Sequence, residues 1–208
     1  MLALLGACER PSSPESGSSA PARAEKPPNV LLITVDTLRA DRLGCYGFDE
    51  ARTPHIDGLA REGVRVVHAV ASAPITLPSH ASILTGLEPP AHGVRDNGAL
   101  PVPPEIETLA ERLDGAGYET QAFVSAEVLH GRYGLDQGFD GYDDELTAGA
   151  QAAEFERPER SARDTINRVL RWLNERAAST DPFFLWVHLF DPHQPYDPPK
   201  SELRDTPT

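Results

Sequence analysis

Cysteine is nearly absent: Cys8 and Cys45 are the two in 208 residues, too few and too far apart for a zinc cluster or a disulfide framework. A basic surplus is absent as well. The 19 Lys and Arg stand against 32 Asp and Glu, a formal net charge of −13, and the basic residues are scattered. The chain therefore lacks the electrostatic footprint of a nucleic-acid-binding protein. No stretch reaches the ~20 apolar residues of a membrane span, and there is no internal repeat. What is present is 39% apolar and 25% charged residues, the composition of a globular domain with a core. If so acidic a protein takes an anionic substrate, something local must reverse the field, and a bound metal ion is the simplest means.

Residues 2–7, LALLGA, are apolar and end in small residues directly before Cys8, and residues 9–28 are rich in Pro, Ser and Ala. That order resembles the lipobox of a bacterial lipoprotein, Leu5-Gly6-Ala7-Cys8, followed by a flexible tether. It implies a signal-like segment at 1–8, lipidation of Cys8, a linker at 9–28 and a folded domain at 29–208. The domain would be periplasmic or at the cell envelope, touching the membrane only through the lipid. The alternative is a frayed terminus with an incidental cysteine.

Ordered structure is expected from Asn29. NVLLITVD (29–36) has the length and β-branched content of a strand buried on both faces of a parallel sheet. HIDGLAREG (55–63) reads as a short helix and VRVVHAVA (64–71) as the second strand. A helix from about Leu77 to Thr85 tolerates Pro78 in its first turn and stops at Gly86. In 104–117, Ile106, Leu109, Ala110 and Leu113 fall on one helical face. ETQAFVSA (119–126) is the third strand, 131–158 reads as loop, 161–177 as the longest helix and PFFLWVHLF (182–190) as the fourth strand. The alternation predicts an α/β fold, a mostly parallel sheet with helices on both faces. Four strands are few for this pattern, and the loop-like 191–208 completes nothing, so the domain is expected to be truncated.

Open parallel sheets bind ligands beyond the carboxyl ends of their strands. That places Asp36, Thr76, Ser79, His80 and His193 at one edge. Each also has a plain structural use: Asp36 and Thr37 can cap a turn, Thr76 or Ser79 can cap a helix, and His193 can be a surface loop residue.

Together, PNVLLITVDTLRADRLGCYG, TPHIDGLAREGVRVVHAVASAPITLPSHASILTGLEPPAHGVRDN, GFDGYDD and HLFDPHQPYDPP resemble, in order and spacing, the N-terminal half of the sulfatase family within the alkaline phosphatase superfamily. The resemblance spans about residues 28–200. It implies that Asp36 is a metal ligand. Thr37 stands where many members carry a second Asp, so it is at best a weak ligand. The nucleophile motif, Cys or Ser followed by x-Pro-Ser-Arg and later Thr-Gly, matches Thr76-Leu77-Pro78-Ser79-His80 and Thr85-Gly86. In sulfatases that Cys or Ser becomes formylglycine; threonine is not a known substrate for the maturation. Phosphoryl-transferring relatives use an unmodified metal-bound threonine, so Thr76 shifts weight towards phospho- or phosphono-ester chemistry.

The resemblance further implies that His80 replaces the motif arginine as a catalytic residue contacting Thr76 or the substrate's oxygens, and that Ser125-Ala126 falls near a Gly-Lys pair. His193 matches the His-x-Pro histidine that assists leaving-group departure, and Ser79, Asn97 and Asp191 lie on the substrate side. The implied cofactor is a divalent cation, Ca, Mn, Mg or Zn, with its remaining ligands beyond Thr208. The first expectation is thus a metal-dependent hydrolase of sulfate or phospho/phosphonate esters, acting on a small-molecule, glycan or lipid ester through in-line attack by Thr76. The second is a non-catalytic lipoprotein domain that keeps the fold.

Overall fold

A computed structural model describes residues 26–146, 158–194 and Tyr196. Cys8 and most of the 9–28 linker lie outside the described residues. The strands are β1 (Val30–Val35), β2 (Glu119–Phe123), β3 (Gly141–Asp143) and β4 (Phe183–Leu189). The helices are α1 (Pro54–Glu62), α2 (Thr76–Thr85), α3 (Pro89–His92), α4 (Leu109–Asp114) and α5 (Ala162–Glu175). All strand pairs are parallel, in the order β1-β4-β2-β3, the expected α/β architecture.

Period-2 alternation along β4 divides the core. Phe184 and Trp186 pack with Leu77, Ala81 and Leu84 of α2 and Ala110 of α4 on one face. Leu185 and Val187 meet Phe123 and Val169 of α5 on the other. Helices therefore cover both faces, as expected. Among the described residues no helix is long and apolar enough to cross a membrane.

β1 is not buried on both faces as expected, since Leu31 and Ile33 are 55% and 49% exposed, and three further elements depart from the sequence expectation. Residues 64–71 are not a strand. Val64 and Val70 are each 93% exposed, and the stretch is tied down by Tyr46 Oη, which donates to Val66 O at 2.8 Å. β-Branched content favours a strand only where a neighbour accepts its ladder. The helix expected over 104–117 occupies only Leu109–Asp114. Its start is set by a capping box: Thr108 Oγ1 accepts from Glu111 N, and Glu111 Oε2 accepts from Thr108 N.

Within the expected loop 131–158, Gly141–Asp143 is a strand, β3, pairing with Gln121–Phe123 of β2. A Cβ at Gly141 would meet the end of the Gln121 side chain, which would have to turn aside. Residues 147–157 of that passage lie outside the described residues.

Candidate active site

Asp36 follows β1 and donates its N–H to Leu189 O at 2.9 Å, so the β1–β4 ladder itself sets its position. The chain then turns sharply at Thr37, which adopts a left-handed φ of 53°, uncommon for a β-branched residue. Thr37 is exposed, and this turn is the role the structure gives it. Opposite Asp36, Thr76 is the first residue of α2 and only 9% exposed. Its hydroxyl donates to Asp36 Oδ2 at 2.9 Å. The two residues come together across 40 positions of sequence, although the strand expected at 64–71, directly before α2, is not formed.

The first turn of α2 is held without a side chain at its N-cap, Ile75. Asn97 Oδ1 accepts the N–H of Leu77 at 2.9 Å, and Pro78 has no N–H to satisfy. Asn97 thus fixes the helix start that carries Thr76. The Ser79 hydroxyl points to no hydrogen-bond partner among the described residues; its backbone N–H donates to Ile75 O.

His80 touches Thr76 through the backbone. Its Nδ1–H donates to Thr76 O at 2.8 Å, and its Nε2 accepts from Thr34 Oγ1 at 3.1 Å. The Thr34 oxygen in turn accepts Trp186 Nε1–H at 3.1 Å. Because a carbonyl only accepts, the Nδ1–H tautomer is the one these bonds require. Burial, assisted by the neighbouring His188, lowers the His80 pKa to about 4, so the ring is neutral at pH 7. Both nitrogens are occupied inside the protein.

Asp191 and His193 sit beyond β4. Asp191 Oδ2 accepts the N–H of Ala162 at 2.7 Å, holding the N-terminus of α5. His193 Nδ1–H donates to Gln194 O at 2.7 Å, and its ring stacks on Phe190 at 4.3 Å. Phe190 lies 6.1 Å from the ring of His188, so aromatic packing links His193 to the strand end next to Asp36.

His188 is absent from the sequence-derived site. It is fully buried, with Nε2 3.8 Å from Asp36 Oδ2 and its ring 5.0 Å from that of His80, edge to face. The signal was the period of β4: His188 shares the inward face of Phe184 and Trp186 and is the titratable residue in an apolar strand. Burial opposes the charge of Asp36, but His188 and the Thr76 hydroxyl outweigh it and hold the carboxyl below its ordinary range. The group is therefore an anion at neutral pH.

Asp36 and Thr76 supply two hard oxygen donors side by side, which fits part of an oxygen-ligated divalent site. Among the described residues there is no group of three or more His, Cys, Asp or Glu able to hold an ion. The pair fits as two positions of such a site.

The profile described as Sulfatase matches residues 28–206. The chain belongs to the sulfatase family. Among its sulfatase relatives, the arylsulfatase of Clostridium perfringens is 31% identical over 219 aligned positions, covering 83% of this chain and 45% of the relative. Sulfatase YidJ of Escherichia coli is 28% identical, covering 86% of this chain and 41% of the relative. A structure solved with its substrate D-glucosamine-2-N,6-O-disulfate superposes with a TM-score of 0.68 at 26% identity, over 83% of this chain and 36% of that one. The phosphonate monoester hydrolase of Agrobacterium radiobacter superposes with a TM-score of 0.66, also at 26% identity, over 84% and 43%. The sulfatase chain described here thus spans less than half the length of each of these relatives.

Proposed function

We propose that this sulfatase chain carries the nucleophile portion of an ester hydrolase site, with Thr76 as the attacking group. The observation that carries the reading is the buried Thr76 hydroxyl at the start of α2, hydrogen-bonded to Asp36 at 2.9 Å. A helix N-terminus favours the negative charge of a sulfate or phosphonate ester there. A divalent cation, if bound, would be held by Asp36 and Thr76 and would supply the positive charge that a chain of net charge −13 otherwise lacks.

Thr76 Oγ1 forms a bond to sulfur or phosphorus as its proton passes to Asp36 Oδ2. The bond to the leaving oxygen breaks in line, and that oxygen takes a proton from His193. With Nδ1–H engaged by Gln194 O, it is the second proton of the His193 imidazolium, on Nε2, that is transferred. Water then attacks the threonine ester. The water proton goes to His193, and Thr76 recovers its own from Asp36 as inorganic sulfate or the phosphorus acid departs. His80 and Asn97 keep Thr76 in place from the backbone side, and Ser79 presents an unengaged hydroxyl one helical turn along. Asp191 secures α5 behind His193.

The two solved relatives divide the substrate class between sulfated sugars and phosphonate monoesters. An unmodified threonine favours the phosphorus esters. The test is turnover of aryl sulfate and aryl phosphonate monoester by a polypeptide of the relatives' full length carrying this sequence. Thr76→Ala is expected to lose about 1,000-fold or more in kcat; a fully active variant refutes the nucleophile, and the ratio of the two substrates assigns the class. The Leu5-Gly6-Ala7-Cys8 run supports a second proposal, that a lipid on Cys8 holds the domain at the cell envelope. Cys8→Ser should release it to the soluble fraction, and unchanged membrane fractionation rejects the anchor.

A further inference from the structure

We propose that His188 is a positioning residue for Asp36, at the end of a buried chain of donors that begins at Arg160 and sets how the carboxylate faces Thr76. The proposal rests on the reading of Asp36 and Thr76 above.

Among the described residues, His188 Nε2 is the buried side-chain nitrogen or oxygen left without a hydrogen bond. Leaving such an atom unpaired costs about 1–3 kcal/mol, so its persistence calls for a reason. The other ring nitrogen, Nδ1, faces the N–H of Ser125 at 3.4 Å and must accept. The ring proton is then on Nε2, 3.8 Å from Asp36 Oδ2, the same oxygen that takes the Thr76 hydroxyl. That separation is too long for a hydrogen bond, and a shift of less than about 1 Å makes it one. Bonds of this kind tighten when substrate fills a site.

The orientation of His188 is fixed from behind. Ser125 Oγ donates to His188 O at 2.6 Å and lies 2.7 Å from Thr165 Oγ1. With the Ser125 proton committed to the carbonyl, Thr165 is the donor between them. Thr165 Oγ1 in turn accepts Arg160 Nε–H at 3.0 Å. Arg160 is 5% exposed and donates also to Asp143 Oδ1 at 2.7 Å and to Val124 O at 2.8 Å. A guanidinium does not release its proton, so every donor between Arg160 and the His188 backbone runs one way. The T-shaped contact with His80 holds the ring on its other side. Both donors facing Asp36, Thr76 and His188, fall on Oδ2, which leaves Oδ1 to a cation.

The test needs no turnover to begin. Long-range 15N–1H correlation on the 208-residue chain should show His188 as the Nε2–H tautomer, with a proton signal that moves in Asp36→Asn. An Nδ1–H ring, or a signal blind to that substitution, overturns the proposal. In the full-length polypeptide, His188→Phe keeps the ring volume and removes the donor. His188→Gln restores an N–H near the position of Nε2. The Phe variant should lose about 10- to 100-fold in kcat with KM changed less than about twofold, and Gln should recover most of it. Equal kcat in the two folded variants, checked by thermal melting, also overturns the proposal. If Thr76→Ala stays active while the His188 signals behave as stated, the failure belongs to the nucleophile and the donor chain stands.

Discussion

One face of the sheet is sealed by α2 and α4 over Phe184 and Trp186, whereas the other is covered by α5 over β2 and β4 and leaves Leu31 and Ile33 of β1 55% and 49% exposed. The register pairs Leu31 with Leu185 and Ile33 with Val187, so the cover runs out between adjacent strands. β1 is apolar on both sides, VLLITV, yet only its Val30, Leu32 and Thr34 side meets a packed layer. The difference shows where polar chemistry can be held. On the sealed face water is excluded, every bond to His80 and Thr34 is made within the protein, and one tautomer is imposed. On the open face β1 presents apolar side chains, and among the described residues no layer packs over Leu31 and Ile33.

The comparison is broken or sharpened by measurements of decreasing expected size. Trp186→Ala removes the largest fully buried side chain of the sealed face and should cost about 3–5 kcal/mol in denaturant unfolding; a loss under about 1 kcal/mol would mean that this face is not the core.

Acid comes next. His80 is neutral in the fold with a pKa of about 4, whereas an unfolded histidine titrates near 6.5. Between those values the unfolded chain binds the extra proton, so stability rises with pH there. The contribution is complete above about pH 6.5 and is lost as pH falls to about 4, roughly 3 kcal/mol in all. Unfolding curves from pH 4 to 7 should show this slope reduced in His80→Phe, and an unaltered slope would assign it elsewhere.

Thr34→Val preserves shape but strands His80 Nε2 and Trp186 Nε1, which should cost about 1–3 kcal/mol. On the open face, Leu31→Thr and Ile33→Thr should change stability by no more than about 0.5 kcal/mol and reduce self-association in light scattering. A large destabilisation there would show that this face is covered in solution.

The site was legible wherever a residue type announced its chemistry at a strand end or helix start. Asp36 and Thr76 were both visible, and the 2.9 Å bond between them joins them as expected. His188 was hidden because it sits inside PFFLWVHLF, where apolar neighbours make a histidine look like one more core residue. Thr34 was hidden for the same reason in β1. The resemblance puts Asn97 on the substrate side, and the contact it makes is with the N–H of Leu77; a cap supplied from 20 residues away has no local pattern. The strand expected at 64–71 and the unforeseen β3 share one cause. Strand formation depends on a partner, and neither the lack of one for VRVVHAVA nor the presence of β2 beside Gly-Tyr-Asp is written in the local residues.

The sequence by itself determined the elements that short-range physics can specify. These are the apolar runs of β1 and β4, the start of α2 to within a residue at Leu77 and Pro78, its stop at Gly86, and a threonine and an aspartate of matching chemistry. Only the tertiary structure decided which strands pair, which face of the sheet is sealed, and where the protons of His80 lie. Those outcomes depend on hydrogen bonds and burial between residues far apart in the chain, and a neutral buried imidazole takes its tautomer from the acceptors and donors that folding brings to it.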